Sequence, residues 1–400
     1  MTTSVPHLTE LPLERPKGCP FDPPPELGSL RDEHPLARLT FPDGHEGWLA
    51  TGHAIVRAVV ADPRFSARQE LMHTPLPGAA AMAEMPPAAP GMFIKMDGAE
   101  HARYRKLLTG KFTVRRMRRL TERVEQVTAE HLDAMERQGT TADLVPAFAQ
   151  PIPALMICEL LGVPYDDHEF FRRNVAPLNR PDAPLEGQEA AMNALGGYLY
   201  ELVVAKRAEP TDDILGELVT TDLTDEELTG IAFLLLGAGL DTTANMLALG
   251  TFALLRHPDQ LALLREDPES IDGAIEELLR YLTIAHTGVR TALEDVEIGG
   301  QIVKAGEVVA LSAAAANRDP LKFPEPDRLD VRRNAAGHAA FGHGVHQCLG
   351  QQLARVQMKV AFTGLLGRFP ALRLAVPADE IPLRTDSDIH GVYALPVAWG

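Results

Sequence analysis

The sequence predicts a mainly α-helical fold built around one long central helix, with small β-sheets at its periphery. Three observations support this prediction. Most segments carry apolar residues at helical spacing, one capped apolar stretch runs from 224 to 256, and strand signals are short and scattered. No linker, repeat or low-complexity tract divides the 400 residues, so a single domain over 1–400 is expected.

Helices are expected where apolar residues recur every three or four positions. The segments with this pattern are 30–36, 52–62, 98–136, 151–161, 190–207, 225–256, 259–266, 269–282 and 350–367. Strand signals are fewer: 47–51, the stretch that Arg290 opens, and the extended C-terminal stretch 389–399. Residues 296–298 and 301–303 flank Gly299-Gly300, which predicts a hairpin with a glycine turn.

The long central helix has clear start and stop signals. Thr224 and Glu227 have the spacing of a capping box, and Pro258 ends the pattern after about Arg256. At 1.5 Å per residue the helix is roughly 45 Å long, enough to cross a whole domain. Its middle, 231–240, is apolar on every face, so the helix is expected to be buried.

The same helix carries residues that a buried helix does not favour. Ala238 and Gly239 are followed by Leu240, Asp241 and Thr242. Buried acids and hydroxyls cost free energy unless they are paired, and a threonine that bonds to the i−4 carbonyl opens the helix locally. The stretch is therefore a functional candidate. A helix bent only for packing is the alternative.

Residues 341–350, Phe-Gly-His-Gly-Val-His-Gln-Cys-Leu-Gly, put Cys348 in a glycine-rich turn before an amphipathic stretch. Glycine permits backbone angles that other residues avoid, and a helix N-terminus favours a thiolate. A rigidly held thiolate is a ligand for haem iron. A structural buried cysteine or a zinc site with His343 and His346 is the alternative, although Cys19 and Cys158 lack the spacing of zinc knuckles.

The Phe-x-x-Gly-x-x-x-Cys-x-Gly pattern resembles the haem-binding loop of the cytochromes P450, and 238–242 resembles their oxygen-activating stretch. The resemblance implies the P450 fold, haem b, and a monooxygenase supplied with electrons from NAD(P)H through an external ferredoxin and reductase. By this resemblance Cys348 is the iron ligand, and the small side chains of Ala238 and Gly239 leave room for dioxygen over the iron. Asp241 and Thr242 become the proton relay. The loop residues that shape the haem site are Phe341, Gly342, His346 and Gly350.

Two further groups follow from the same resemblance. His101, Arg105, Arg290 and His346 match positions that bind the haem propionates, for which charge-assisted bonds to carboxylate give the reason. Glu277-x-x-Arg280 resembles the family's structural Glu-x-x-Arg, and Arg328 is predicted as its third member.

The expected substrate is a large apolar natural product held under residues 71–92, which carry four methionines, five prolines and one charge. The resemblance to actinomycete P450s of secondary metabolism favours a macrolide or other polyketide, with polyene macrolides first. A terpenoid or steroid hydroxylase and a haem-thiolate sensor or carrier without turnover are alternatives. Candidate apolar contacts are Met85, Met92, Leu234, Ala238, Ile284, Val289 and Val392, and candidate polar contacts are His73, Glu84, Arg172 and Asn179.

The charge of the chain and its lack of targeting signals indicate which binding partners and which cellular location to expect. A net charge of −17 argues against nucleic acid. Three cysteines, no signal peptide and no apolar run long enough to span a bilayer favour a cytoplasmic protein without a membrane segment, expected to be a monomer. Residues 103–119 hold eight Lys or Arg and no acid, which predicts a docking face for an acidic ferredoxin; a solvated helix face is the alternative.

Overall fold

The computed structural model describes residues 5–16, 18–77, 85–111, 114–175, 184–384 and 387–400. Helices dominate this part of the chain, as expected. The α-helices are α1 Pro25–Glu33, α2 His53–Ala61, α3 Gly98–Thr109, α4 Val114–Gln138, α5 Pro151–Leu161, α6 His168–Val175, α7 Leu185–Ala208, α8 Ile214–Leu218, α9 Asp225–Arg256, α10 Pro258–Glu266, α11 Ile271–Leu282, α12 Ala313–Ala316 and α13 Gln351–Arg368.

The strands form three small sheets at the edge of the helical body. They are β1 His7–Leu8, β2 Leu36–Thr40, β3 Glu46–Ala50, β4 Phe65–Ser66, β5 Thr141–Asp143, β6 Thr287–Ala292, β7 Val296–Ile298, β8 Gln301–Val303, β9 Val308–Ser312, β10 Arg373–Leu374 and β11 Pro396–Ala398. The largest sheet has the order β1-β2-β3-β9-β6-β4, the second is β10-β11-β5, and β7-β8 is the predicted hairpin. Its turn residues Gly299 and Gly300 both have positive φ.

The central helix α9 forms as predicted. Thr224 accepts a hydrogen bond from the Glu227 N–H and Glu227 bonds back to the Thr224 N–H, which completes the capping box. The helix ends at Arg256, and α5, α7 and α13 pack against it. By length and composition α9 could cross a membrane, but 56% of its apolar window is buried inside the protein, as expected of a core helix.

Two sequence expectations need correction. The predicted helix 30–36 lies earlier, because Pro25 takes the first helical position and Leu36 already pairs with Ala50 in the β2-β3 ladder. The predicted helix 98–136 is two helices, since α3 ends at Thr109, with Gly110 as its C-cap, and α4 begins at Val114. Strand β9 was not predicted, because it is buried at every position and so lacks the polar alternation of a half-exposed strand.

Candidate active site

A cavity of about 430 Å³ separates the middle of α9 from the loop that carries Cys348. Its lining is mostly apolar. Among the predicted site residues, those in the wall are His101, Arg105, Leu234, Ala238, Gly239, Thr242, Ile284, Arg290, Phe341, Gly342, His346, Cys348 and Gly350. Residues more than 240 positions apart in the sequence therefore meet in one place.

The cysteine loop is held by a hydrogen bond within its own backbone and by close packing against the backbone of α2. The Cys348 N–H donates to the Phe341 carbonyl at 2.9 Å. Gly344 has a φ of +74°, and a Cβ there would lie 2.7 Å from the Val60 carbonyl oxygen on α2, so only glycine fits. Gly342 also has a positive φ, whereas Gly350 is the residue before α13 with an ordinary φ of −82°.

The chemistry of the Cys348 thiol is set by opposing influences. Burial raises its pKa, while the backbone N–H groups of Gly350 and Gln351 and the charges of Arg105 and Arg355 act to lower it. In the absence of a metal ion the desolvation is the larger influence, although the side chain itself is exposed to the cavity. Because a coordinated metal ion deprotonates a thiol outright, iron binding would reverse this balance.

Above the cysteine, the Thr242 side chain bonds back to the backbone of α9. The Thr242 hydroxyl donates to the Ala238 carbonyl at 2.9 Å, which is the i−4 bond expected from the sequence. Gly239 is also close to α5, because a Cβ there would lie 2.5 Å from Ile157 Cδ1. Small residues at this point therefore keep both the cavity and the packing of α5 on α9 intact.

Asp241 does not line this cavity, although its neighbour Thr242 does. Its carboxylate accepts from Arg384 Nη1 at 2.7 Å and 2.9 Å and from Asn245 Nδ2 at 2.8 Å. Successive helical residues point about 100° apart, so Asp241 and Thr242 face different spaces. Sequence reasoning missed Arg384, because nothing in the chain marks a residue 143 positions away as its partner.

Four cationic or imidazole side chains gather at one edge of the cavity. The rings of His101 and His346 lie 4.1 Å apart, and His101 Nε2 and His346 Nδ1 are buried without a hydrogen-bond partner in the part of the chain that the structure describes. Arg105 and Arg290 have no carboxylate within ion-pair distance among those residues, and burial lowers the pKa of both. The cluster thus has more donors than the described residues satisfy.

Electrostatics within this cluster are unbalanced. Burial, followed by the nearby His346 and Arg105, lowers the pKa of His101 to about 4. Asp97 is the acid beside the cluster, 3.6 Å from His346 Nε2. Burial acts to raise the pKa of Asp97, but hydrogen bonds from His346, Ser66 and the Ala67 N–H hold it at about 2. One carboxylate against the guanidinium groups of Arg105 and Arg290 leaves room for an anionic ligand.

The structural trio is present with one member corrected. Glu277 and Arg280 are fully buried and pair at 2.7 Å. The third side chain is Arg333, whose Nε donates to Glu277 Oε1 at 3.1 Å, and not Arg328, which is 61% exposed. The Arg328 backbone carbonyl accepts from both arginines, so the segment was identified correctly and the side chain wrongly. The sequence prediction named only Arg328, because residue spacing does not show that Arg333, five positions later, is the side chain that reaches Glu277.

A further brace was missed in the sequence. Glu276 accepts from Arg355 Nε at 2.6 Å and lies 3.1 Å from His338 Nε2. Burial acts to raise the pKa of Glu276, but hydrogen bonds from His338 and Arg355 lower it to about 2. The Arg355 guanidinium lies 4.6 Å over the Phe341 ring, so this brace fixes the start of the cysteine loop.

Several predicted substrate contacts lie elsewhere. Val289 points to the other face of β6 and packs with the core under β2, because strand residues alternate. Val392 is buried in the main core, and Met92 precedes a 3₁₀ turn that presents Phe93 and Ile94 to the cavity instead. Met85 is half-buried and is not in the wall.

The predicted cover 71–92 is described except at 78–84. Glu84 and Asn179 fall outside the described residues, as does the Arg172 side chain. His73 is not in the cavity wall, because its Nδ1 lies 2.5 Å from Asp43 and its ring stacks on His45 at 3.8 Å. Near the start of the cover, Met72 Sδ lies 3.3 Å from Lys95 Nζ in the turn that follows the cover.

The basic stretch 103–119 is less charged than its sequence indicates. Acids between 212 and 227 fold against it: Arg103 pairs with Glu227, Arg116 and Lys111 with Glu217, and Arg119 with Asp212. Lys106 and Arg118 are exposed and have no carboxylate within ion-pair distance among the described residues. With Arg115, which lies 4.0 Å from Asp212, five of the eight cations are within ion-pair distance of acids distant in sequence, so the face is less basic than the sequence indicates.

Comparison with known proteins decides the family. The cytochrome P450 family model matches residues 205–386. Cytochrome P450 105C1 of a Streptomyces species is 52% identical over 95% of this chain and 96% of its own length, and pentalenic acid synthase of Streptomyces avermitilis is 44% identical over 99% of both. The crystal structure of CYP105P1 in complex with filipin I superposes with a TM-score of 0.91 at 43% identity, covering 98% of this chain and 99% of that one. The chain belongs to the cytochrome P450 family.

As a P450 monooxygenase of the bacterial actinomycete type, the protein uses haem b and external redox partners. The residues present fit that cofactor. Haem b carries two carboxylates. Within the described residues, the edge of the cavity offers the unbonded nitrogens of His101 and His346, and the guanidinium groups of Arg105 and Arg290, which have no carboxylate partner there. Opposite them, the wall is apolar and holds a single cysteine, Cys348.

Proposed function

We propose that this P450 inserts one oxygen atom from O2 into a C–H bond of a large, mostly apolar natural product, a macrolide or other polyketide, in secondary metabolism. One observation carries the proposal: above Cys348 the wall of the cavity is mainly apolar and includes Leu234, Leu235, Ala238 and Ile284, together with Ile94, which is 44% exposed. Such a wall favours an apolar ligand and leaves orientation to a few polar groups.

Each residue near the iron has a distinct role in this proposal. Cys348 binds the iron as thiolate, and His101, Arg105, Arg290 and His346 donate to the propionates. Haem, when bound, supplies the activation of O2. Thr242 positions a water molecule, or its own hydroxyl, at the cavity for proton transfer. Asp241, its neighbour in sequence, supplies the proton. Ala238 and Gly239 leave space between α9 and the cofactor.

The substrate class is tested by the shift of the haem spectrum when a ligand displaces iron-bound water. We expect filipin I, as the macrolide probe, to produce this shift at micromolar concentration, because a large apolar ligand buries most of its surface in such a cavity. Small aromatics should bind poorly. Response to vitamin D3 but to no macrolide would favour the terpenoid or steroid alternative, which the relative named vitamin D3 dihydroxylase, at 42% identity, makes a real candidate.

The role of Thr242 predicts uncoupling. Thr242→Ala should keep haem content and substrate-induced spectral shift, while most reducing equivalents leave as hydrogen peroxide. Loss of a positioned proton donor costs on the order of 10² or more in rate, so product per NAD(P)H should fall steeply.

The chain offers a matched control on the same helix. Thr251 makes the same i−4 bond, to the Leu247 carbonyl at 2.7 Å, but lies outside the cavity. Thr251→Ala should therefore stay coupled. If Thr242→Ala is coupled as well as Thr251→Ala, the assignment of Thr242 is refuted.

We further propose that the acidic ferredoxin docks on the 103–119 face, in the cytoplasm, through the exposed cations Lys106 and Arg118. Opposed charge speeds encounter and makes the rate depend on salt. The neutralised residues Arg103 and Arg119 are expected to contribute less.

Reversal of charge at Lys106 and Arg118 tests this face. The double variant Lys106→Glu, Arg118→Glu should slow reduction by ferredoxin and flatten its salt dependence, while activity supported by hydrogen peroxide alone should be unchanged. Reversal of Arg256 and Arg265, which are exposed at the far end of α9 and on α10, is the control. Equal slowing in both double variants would show that net charge, and not this face, controls the rate.

A further inference from the structure

Behind Asp241 lies a second, small cavity of about 20 Å³. Its polar lining comes from Asp241, Asn245, Arg384, Gln150 and Tyr393. The apolar residues that complete it are Val145, Ala244, Ala248 and Val392. A cavity needs roughly 10–15 Å³ and two to four polar partners to hold one water molecule, and this one meets both conditions.

The Arg384 guanidinium at this cavity has one N–H group without a hydrogen-bond partner among the described residues. Arg384 Nη1 donates to both carboxylate oxygens of Asp241, and Nη2 donates to Ser387 Oγ at 3.3 Å. Arg384 Nε is buried and has no hydrogen-bond partner among the residues that the structure describes. A buried guanidinium N–H left unbonded costs on the order of 1–3 kcal/mol, which favours an ordered water there.

Arg384 is placed by the C-terminal segment and not by Asp241 alone. Its backbone N–H donates to the Gly391 carbonyl at 2.9 Å, and Leu383 pairs with Val392. At Gly391 a Cβ would lie 1.7 Å from Asn245 Oδ1, so glycine alone lets this segment approach α9 so closely. The segment thus presents a fixed cation to the acid.

This arrangement separates Asp241 from the main cavity. Thr242 faces the main cavity, while the Asp241 carboxylate is held by Arg384 and Asn245 and faces the small one. To carry a proton to the Thr242 side, the carboxylate must take the proton on the small-cavity side and leave Arg384. After donation it returns as the anion that Arg384 binds, and it takes the next proton from water that exchanges with solvent.

We propose that the small cavity binds one water molecule and, with Arg384, forms the route by which solvent protons reach Asp241. The inference rests on the proposed role of Asp241 as proton donor and adds to it the site of supply and the residue that positions the acid. Arg384 is a positioning residue, since it touches neither substrate nor cofactor.

The first test leaves both charged residues in place. Ala248 is buried and lines the small cavity, so Ala248→Val should fill the space and expel the water. We expect product per NAD(P)H to fall roughly tenfold, less than the loss of a whole general acid, and the solvent deuterium isotope effect on product formation to rise. Ala253→Val, equally buried on α9 but outside the cavity, controls for overpacking.

The second test concerns Arg384 and the water directly. Arg384→Met should change both the solvent deuterium isotope effect and the product formed per NAD(P)H. Arg384→Lys should restore both in part, because lysine keeps the charge with a single ammonium. A crystal structure of the haem-loaded wild type should show a water within hydrogen-bond distance of Arg384 Nε, absent from Ala248→Val. In both Ala248→Val and Arg384→Met, the haem content and the substrate-induced spectral shift should match those of Ala253→Val.

The variant Asp241→Asn distinguishes the proton-supply route from the role of Asp241 as proton donor. If Asp241→Asn is uncoupled while Ala248→Val and Arg384→Met behave like wild type, the supply route is refuted and the role of Asp241 stands. If Asp241→Asn itself stays coupled, the role of Asp241 fails and the route with it. A dry cavity in the wild-type crystal structure would also overturn the inference.

Discussion

Replacement of Glu277 by glutamine should destabilise the protein by about 3–5 kcal/mol, since it leaves Arg280 as a buried cation without its counter-ion. Both side chains are fully buried, and Glu277 also accepts from Arg333 and from the Asp330 N–H. Four donors therefore lose one charged acceptor in a single substitution. The measurement is the urea midpoint of the haem-loaded protein, followed by the loss of its haem spectrum.

The two arginines of the neighbouring segment provide the control. Arg333→Met should cost on the order of 2 kcal/mol, because it removes a charged hydrogen bond to Glu277 from a side chain that is 11% exposed. Arg328→Ala should stay within about 0.5 kcal/mol, since that side chain is 61% exposed and only its backbone carbonyl contributes. An Arg328 variant as unstable as the Arg333 variant would contradict the corrected trio.

This difference between Arg328 and Arg333 illustrates what sequence can predict here. The central helix, its capping box and the hairpin at 296–303 depend on local spacing, and all three form as expected. The cysteine loop was recognised because glycine and cysteine at fixed spacing carry their own chemistry. Which arginine reaches Glu277 depends instead on the path of an irregular segment, for which residue spacing gives no rule.

The same limit applies to charge and to the acid on α9. The cations at 103–119 are visible in sequence, but the acids at 212–227 that neutralise them come from another part of the chain. Asp241 was found as an unusual buried acid, whereas its partner Arg384 is supplied by the C-terminal segment. Long-range pairing therefore decided the features that sequence reasoning missed or misplaced.

Replacement of Cys348 has the other large expected effect, because the whole account depends on a cysteine thiolate as the iron ligand. Cys348→His should still allow the surrounding cavity to take up haem, since the cation cluster and the apolar wall are unchanged. Monooxygenase activity should be lost, because a neutral imidazole does not donate electron density to the iron as a thiolate does. Cys19→Ala is the control, since Cys19 lies outside the cavity and within hydrogen-bond reach of Tyr281.

The most direct measurement is the absorption spectrum of the reduced, CO-bound protein. The wild type and Cys19→Ala should both show the red-shifted Soret band of a thiolate–iron–CO complex, and Cys348→His should not. Survival of that band in the Cys348 variant would contradict the assignment of Cys348 as the iron ligand.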